Sequence, residues 1–315
     1  MTATVQFGVT LPQIKRSWEQ ARTAALAFDG LGYHSVWVCD HLHGVPLPTL
    51  PILEAWTELT AVGAITEHVE LGTLVTPPFF RNPAVLAKQV ATLDQITNGR
   101  TIVGLGAGWF ESEFTSYGCE FPSTRERLHA LAESVEIMKR LWTEEQVTFE
   151  GRHYSVRDVR CEPKPVRRPP ILIGGGGEQV LLRIVAEHAD VWNNMAVSQA
   201  DLGRKIEVLA RHCERVKRDF DEIRISQQCL VVIAPDEDGA RAALAKASKI
   251  YGGHMGAGVE EHGIWGTPSR VIDCIERHLK LGCTQFVMEF FGKDTIEPAQ
   301  LFAQEVMPAF GFSSA

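Results

Sequence analysis

Short apolar runs along this chain alternate with stretches in which apolar residues recur every three or four positions. Gln6-Phe-Gly-Val-Thr10 reads as a first strand, and residues 17–31, with alanines and leucines at helical spacing, as the helix that follows. The same pairing recurs: strand 35–39 with helix 54–65, strand 69–75 with helix 84–96, and strand 101–105 with helix 125–142 after a longer loop over 106–122. Asn98-Gly99 stops the third helix. Residues 143–170 form an excursion with Gly151 and a proline cluster at 163, 165, 169 and 170 before a fifth strand that begins at Ile171 and stops at four glycines. Strands at 190–193, 224–233 and 284–289 complete the set, the last reached through a helix over 269–281 for which Thr267 is a natural N-cap and Pro268 a natural first residue. Parallel strands need crossovers of this kind. Eight such units predict an α/β fold that closes as a (β/α)8 barrel, a single domain over 1–315, with insertions after strands four and seven and before strand five. The runner-up is a doubly wound open sheet. Residues 235–266, rich in glycine, predict a helix plus a mobile lid.

Composition narrows the partners. A chain of 315 residues that is 45% hydrophobic can bury a large core. A net charge of −8 argues against a nucleic-acid or membrane-surface binder. No apolar run reaches membrane-spanning length, and the start lacks the basic stretch and apolar core of a signal peptide, so a cytoplasmic protein is expected. Seven scattered cysteines with no close pair agree with that compartment and offer no zinc or redox motif.

Barrel chemistry sits where the strands end. After the fifth strand come Gly174, Gly175, Gly176 and Gly177, where amides can converge on an anion because no Cβ intervenes, and the helical pattern resumes at once. A tight turn without a ligand is the plainer alternative. Asp40-His41-Leu42-His43 follows strand two, Leu74-Val75-Thr76-Pro77 strand three, Gly104-Leu-Gly106-Ala-Gly108-Trp109 strand four, and Asn193-Asn194 strand six. That rim is glycine-rich, aromatic and short of charge, and suits a flat conjugated ligand with a phosphate tail. His41 and His43 could also begin a metal site, but later strand ends supply no further histidine and carboxylate ligands, so no metal is expected. The glycines at 104–108 make a poor dinucleotide fingerprint, because they follow a fourth strand and lead into a loop. Lys164, Arg167 and Arg168 precede strand five and belong at the opposite face. Arg81 is better placed for a ligand, though it could fasten the loop before Pro83.

These residues carry a resemblance. Phe7-Gly-Val-Thr-Leu-Pro12, Ser35-Val-Trp-Val-Cys-Asp-His41, Leu71-Gly-Thr-Leu-Val-Thr-Pro77, Arg81-Asn-Pro83, Gly104 to Trp109 with Glu113-Phe114, Gly174 to Gly177 and Gly266-Thr-Pro268 span nearly the whole chain. In order and spacing they resemble the bacterial luciferase-like monooxygenase superfamily, and within it the oxidoreductases that use the deazaflavin coenzyme F-420. The resemblance implies a flavin-type cofactor at the C-terminal face and a homodimer. It places His41 beside the reactive centre of the ring and makes Leu74 and Val75 a bulge behind it, joined by a non-proline cis peptide. Gly176 and Gly177 would hold the cofactor phosphate, and Thr76, Gly106, Gly108, Trp109, Gly174, Gly175, Asn193 and Asn194 would complete the cofactor rim. Sugar-phosphate dehydrogenases of the family carry a carboxylate where this chain has Trp109. Glu113 is a substitute only if its helical phase turns it inward, and the substrate stays open. The implied activity is hydride transfer between coenzyme F-420 and a small organic substrate. Alternatives are an FMN-dependent monooxygenase served by a separate reductase, a non-catalytic flavin carrier, and a metal-dependent barrel hydrolase.

Overall fold

The computed structural model describes residues 4–45, 47–195, 198–251, 258–292 and 294–312. Eight parallel strands close on one another: β1 (Gln6–Thr10), β2 (Ser35–Val38), β3 (Glu70–Thr73), β4 (Thr101–Leu105), β7 (Ile171–Gly174), β8 (Val191–Asn194), β9 (Arg224–Ile233) and β11 (Cys283–Phe290). Pairing of β11 with β1 and of β8 with β9 shuts the cylinder. This is the expected (β/α)8 barrel. Three further strands lie outside it. β5 (Val147–Glu150) and β6 (Ser155–Val159) make an antiparallel hairpin in the excursion before β7, where the sequence pattern predicts no strand. β10 (Ile264–Gly266) extends the sheet alongside the far end of β9.

The helical ring follows the sequence closely because its ends are chemically marked. α1 (Trp18–Gly30) and α5 (Thr124–Thr143) both open with reciprocal capping boxes, Ser17 with Gln20 and Ser123 with Glu126. α2 (Ala55–Gly63) is capped by the Glu54 carboxylate, and α3 (Pro83–Ile96) by Asn82 with proline at its first position. Asn98 and Gly99 turn the chain out of α3 through φ values of 53° and 90°. Between β4 and α5 the predicted loop contains a short helix, α4 (Glu111–Ser116). α6 (Leu181–His188), α7 (Gln199–Val216), α8 (Glu237–Tyr251), α9 (Val259–His262), α10 (Pro268–Lys280) and α11 (Ile296–Glu305) complete the ring. Thr267 takes the N-cap position of α10, but its hydroxyl meets Ser269 Oγ at 3.2 Å rather than a backbone N–H. The expected lid resolves into α8, α9 and β10, while its glycines 252, 253 and 256 lie outside the described residues.

One core fills the layer between strands and helices, and a second fills the barrel itself. Trp37, Leu74, Ile102, Leu172, Val191 and Val287 meet on the axis. Trp37 spans the interior only because its neighbours lack side chains. A Cβ on Gly8 would stand 2.5 Å from the indole nitrogen, and one on Gly72 would stand 2.3 Å from the six-membered ring. Among the described residues no helix is long and apolar enough to cross a membrane.

One buried group runs against the pattern. Glu58 on α2 is 3% exposed, and neither of its carboxylate oxygens has a hydrogen-bond partner among the described residues. Gln13 is its polar neighbour, but that amide is committed to Cys39, donating to its carbonyl at 3.0 Å and accepting from its N–H at 2.6 Å. Burial pushes the Glu58 carboxyl up from 4.5 to about 7. The folded state then holds a proton that the unfolded chain releases above 4.5. Stability is therefore full below pH 4.5, falls between pH 4.5 and 7, and loses roughly 3 kcal/mol in total. Glu58→Gln is expected to abolish that slope in denaturant titrations at stepped pH; an unchanged slope would show Glu58 to be paired and ionised.

Candidate active site

The C-terminal mouth of the barrel is organised around two buried polar links. Asp40, just past β2, is 2% exposed and accepts from Arg81 at 2.6 and 3.1 Å and from the Thr76 hydroxyl at 2.7 Å. Arg81 also pairs with Glu54, the cap of α2, and Thr76 in turn accepts from the Trp56 indole at 3.0 Å. Burial raises the Asp40 carboxyl and the Arg81 guanidinium opposes that shift. Arg81 therefore fastens the loop, the second of its two sequence readings, and both of its strong partners are carboxylates.

The second link is His41 with Glu113. Glu113 is 2% exposed on α4, turned inward, and both of its oxygens lie 3.0 Å from His41 Nδ1. It also accepts the Leu42 N–H at 3.1 Å. A carboxylate facing Nδ1 takes the N–H there and leaves Nε2 as the ring atom able to gain or lose a proton. The Trp109 indole meets the His41 ring edge-on at 6.3 Å between centroids. His43 diverges. Its Nδ1 lies 3.2 Å from the Gly44 carbonyl and its Nε2 3.5 Å from Ser112 Oγ, and no metal-ligating cluster occurs among the described residues.

Behind the mouth, the Leu74–Val75 peptide is cis, as the resemblance implies. β3 stops at Thr73 because the next two residues bulge, held at either side by Leu74 N–H to the Val38 carbonyl at 2.7 Å and Thr76 N–H to the Gly104 carbonyl at 2.8 Å. The bulge drives Val75 over the barrel axis. A Cβ on Gly106 would lie 2.3 Å from one Val75 methyl, and one on Gly174 would lie 2.9 Å from the other. Gly106 and Gly174 thus leave the room that Val75 occupies. Gly108 has a packing reason instead, at φ 75° with Phe114 and Pro77 against the place of a Cβ. Thr76 has no polar group free for a ligand, since its hydroxyl, N–H and carbonyl are all engaged.

The glycine turn differs from its expectation in one respect, the point at which the helix resumes. Left-handed backbone is needed at Gly175, with φ 131°, and not at Gly176 or Gly177. The helix does not resume at once. Glu178 to Val180 intervene before α6, whose Leu182 N–H reaches back to the Gly177 carbonyl at 3.0 Å. Gly175 donates to the Asn193 carbonyl at 3.1 Å and accepts from the Trp192 indole at 2.8 Å, so strand β8 fixes the turn. Asn193 faces into the barrel and accepts from Ser226 Oγ at 2.9 Å. Asn194, one residue on, faces outward and donates to Gln227 at 2.9 Å.

Several residues escaped the sequence reading. Lys205 on α7 reaches the place where a Gly176 Cβ would stand, 2.6 Å from its ammonium nitrogen. Glu289, on the inward-facing register of β11 with Val287, accepts from the Tyr251 hydroxyl at 2.8 Å, and burial raises both groups. Its signal was a carboxylate within the apolar run Phe286-Val-Met-Glu-Phe290. Lys164, Arg167 and Arg168 lie at the opposite end as expected, the two arginines paired with Glu70 and Asp190 at the starts of β3 and β8.

Comparison with known proteins places this mouth in context. The luciferase-like monooxygenase model matches residues 1–294, and the chain belongs to that family. It is 41% identical over 150 residues to an F-420-dependent glucose-6-phosphate dehydrogenase of Kineococcus radiotolerans, covering 47% of this chain and 44% of that one. Against the protein of that name from Microbacterium testaceum the identity is 30% over 243 residues, covering 76% and 72%. The chain thus spans about half the length of several curated relatives it matches. Among solved structures, an F-420-dependent secondary alcohol dehydrogenase superposes with a TM-score of 0.87 at 22% identity, covering 98% of this chain and 100% of the other. The tetrahydromethanopterin reductase of Methanopyrus kandleri superposes with a TM-score of 0.82 at 23% identity, covering 98% and 100%.

The steric dependence of Gly106 on Val75 is open to a double-mutant cycle. Gly106→Ala is expected to destabilise the fold by about 1–3 kcal/mol, and Val75→Ala in the same chain to recover most of that loss. Additive effects in chemical denaturation would show that the two do not touch.

Proposed function

We propose that this chain is an oxidoreductase that transfers a hydride between coenzyme F-420 and a small organic substrate. The observation that carries the reading is the His41–Glu113 pair at the rim of a mouth floored by Val75. The residues present fit a flat ring with a phosphate arm. Val75 offers a fixed apolar backing seated in the room that Gly106 and Gly174 leave, and the N–H groups of Gly176 and Gly177 meet no acceptor among the described residues. Relatives named for coenzyme F-420 support deazaflavin over FMN.

When bound, the deazaflavin accepts or donates the hydride at its C5. The chain's own share is position and proton. Val75 and the glycines fix the plane of the ring, a contribution that effective-molarity arguments set as high as roughly 7–11 kcal/mol. His41 holds or releases the substrate's proton at Nε2, while Glu113 orients the imidazole through Nδ1. Glu113 in this way serves as the carboxylate that positions His41, a role Trp109 cannot fill. Gly174, Gly175, Gly176 and Gly177 line the phosphate end, Asn193 lines the barrel wall, and Leu74, Gly108, Thr76 and Asn194 are supports behind it. Unpaired cysteines support a reducing compartment, the cytoplasm, and the family resemblance supports a homodimer.

Fluorescence titration tests the cofactor. Coenzyme F-420 is expected to bind at least about tenfold more tightly than FMN, a gap of about 1.4 kcal/mol; equal affinities, or FMN retained through purification, overturn the assignment. His41→Ala is expected to lower F-420 turnover about a hundredfold or more without changing the melting temperature. Glu113→Gln should lower it at least about tenfold and displace its pH profile, because the amide no longer fixes the tautomer. Full turnover in both variants would reduce the pair to packing.

A further inference from the structure

α7 buries one stripe of its surface, and Leu202, Leu209, His212 and Cys213 lie on it. Lys205 falls on the same stripe, three residues after Leu202 and four before Leu209, where an apolar residue is the ordinary choice. It is half-buried, and among the described residues its Nζ hydrogen-bonds only Asn194 Oδ1, at 3.4 Å. No carboxylate forms an ion pair with it among the described residues, and burial lowers the ammonium below its usual range. The obvious counter-charge is withheld. Glu178, the carboxylate of the glycine turn, is turned to Arg204, which also pairs with Asp201 at 3.2 Å. The Glu178 carbonyl lies 2.8 Å from His212 Nε2. These two links clamp the turn onto α7; Asp201 and Glu178 still favour the Lys205 charge from a distance and Arg204 opposes it, but neither carboxylate pairs with it directly.

The turn has matching vacancies. Gly175 spends its N–H on the Asn193 carbonyl, whereas the N–H groups of Gly176, Gly177 and Glu178 meet no acceptor among the described residues. The Lys205 nitrogen stands 2.6 Å from where a Gly176 Cβ would be, which puts the ammonium directly against the turn, although φ at Gly176 is ordinary.

We propose that Lys205 is the cationic half of the phosphate site, gripping the phosphate of the cofactor's side arm between its ammonium and the N–H groups of Gly176 and Gly177. The ligand's identity rests on the function proposed above, while the anion site rests on this geometry. Amides alone bind an anion weakly against water, and a desolvated cation adds a charge-assisted hydrogen bond of about twice the neutral strength. The −8 net charge makes such a local cation more necessary, since the chain as a whole repels phosphate.

The test compares wild type with Lys205→Met, which keeps the apolar stem, and Lys205→Arg, which keeps the charge. Coenzyme F-420 is titrated by fluorescence quenching, with melting temperatures confirming that each variant folds. The dissociation constant is expected to rise about tenfold or more in Lys205→Met, to stay within about threefold in Lys205→Arg, and to lose much of its salt dependence in Lys205→Met. A Lys205→Met constant within about twofold of wild type overturns the proposal while leaving the cofactor reading intact. If wild type binds FMN and not F-420, the same comparison with FMN decides. If neither binds, the cofactor reading has failed. Inorganic phosphate then decides the anion site: a rise in melting temperature in wild type and not in Lys205→Met upholds it, and no rise in either rejects it.

Discussion

The buried pair between Asp40 and Arg81 is the constraint on which the mouth of this barrel depends. Taking a carboxylate and a guanidinium out of water costs several kcal/mol per ion, and losing either partner strands the other, a loss of about 3–5 kcal/mol. The chain meets that demand by giving each ion further partners: Thr76 for Asp40, and Glu54 for Arg81. Four segments are thereby tied at one node. The end of β2 carries His41, the end of β3 carries the Val75 bulge, and the starts of α2 and α3 carry Glu54 and Arg81. The loop that carries His41 and the Val75 bulge share an anchor, so a shift of one strains the other.

Sterics does the rest. An eight-stranded barrel has room for a limited set of inward side chains, and here two large ones claim it at different heights. Trp37 takes the middle because Gly8 and Gly72 concede space, and Val75 takes the upper level because Gly106 and Gly174 do. The glycine-rich rim is thus partly a mould around two residues. Gly108 makes room instead for Phe114 and Pro77, and Gly175 joins the turn to β8.

Strands and helices were legible from periodicity and capping residues, and boundaries moved by a residue or two where a cap or bulge intervened. The end of β3 is the instructive case: Leu74 and Val75 continue the apolar run in sequence, yet the backbone leaves the sheet there. The hairpin β5–β6 was hidden because its strands are short, polar and half-exposed. Within the site, His41 and the glycine turn could be found by position at strand ends. Glu113 could not, because a six-residue helix has too few turns for its phase to be read. Lys205 could have been found, since a cation on the buried stripe of an amphipathic helix is a local contradiction that demands a partner. The positive φ fell on Gly175 because that residue leaves β7 while its N–H still bonds β8, a requirement of pairing that composition does not express.

Trp37 has one consequence for traffic. With the indole lodged across the axis, the barrel is a vessel stoppered from below, open only at the rim where His41, Trp109 and the glycine turn stand. Whatever rests on Val75 has the same doorway as whatever is placed above it. On the function proposed, a cofactor resting on Val75 would be loaded before the substrate above it and released after it.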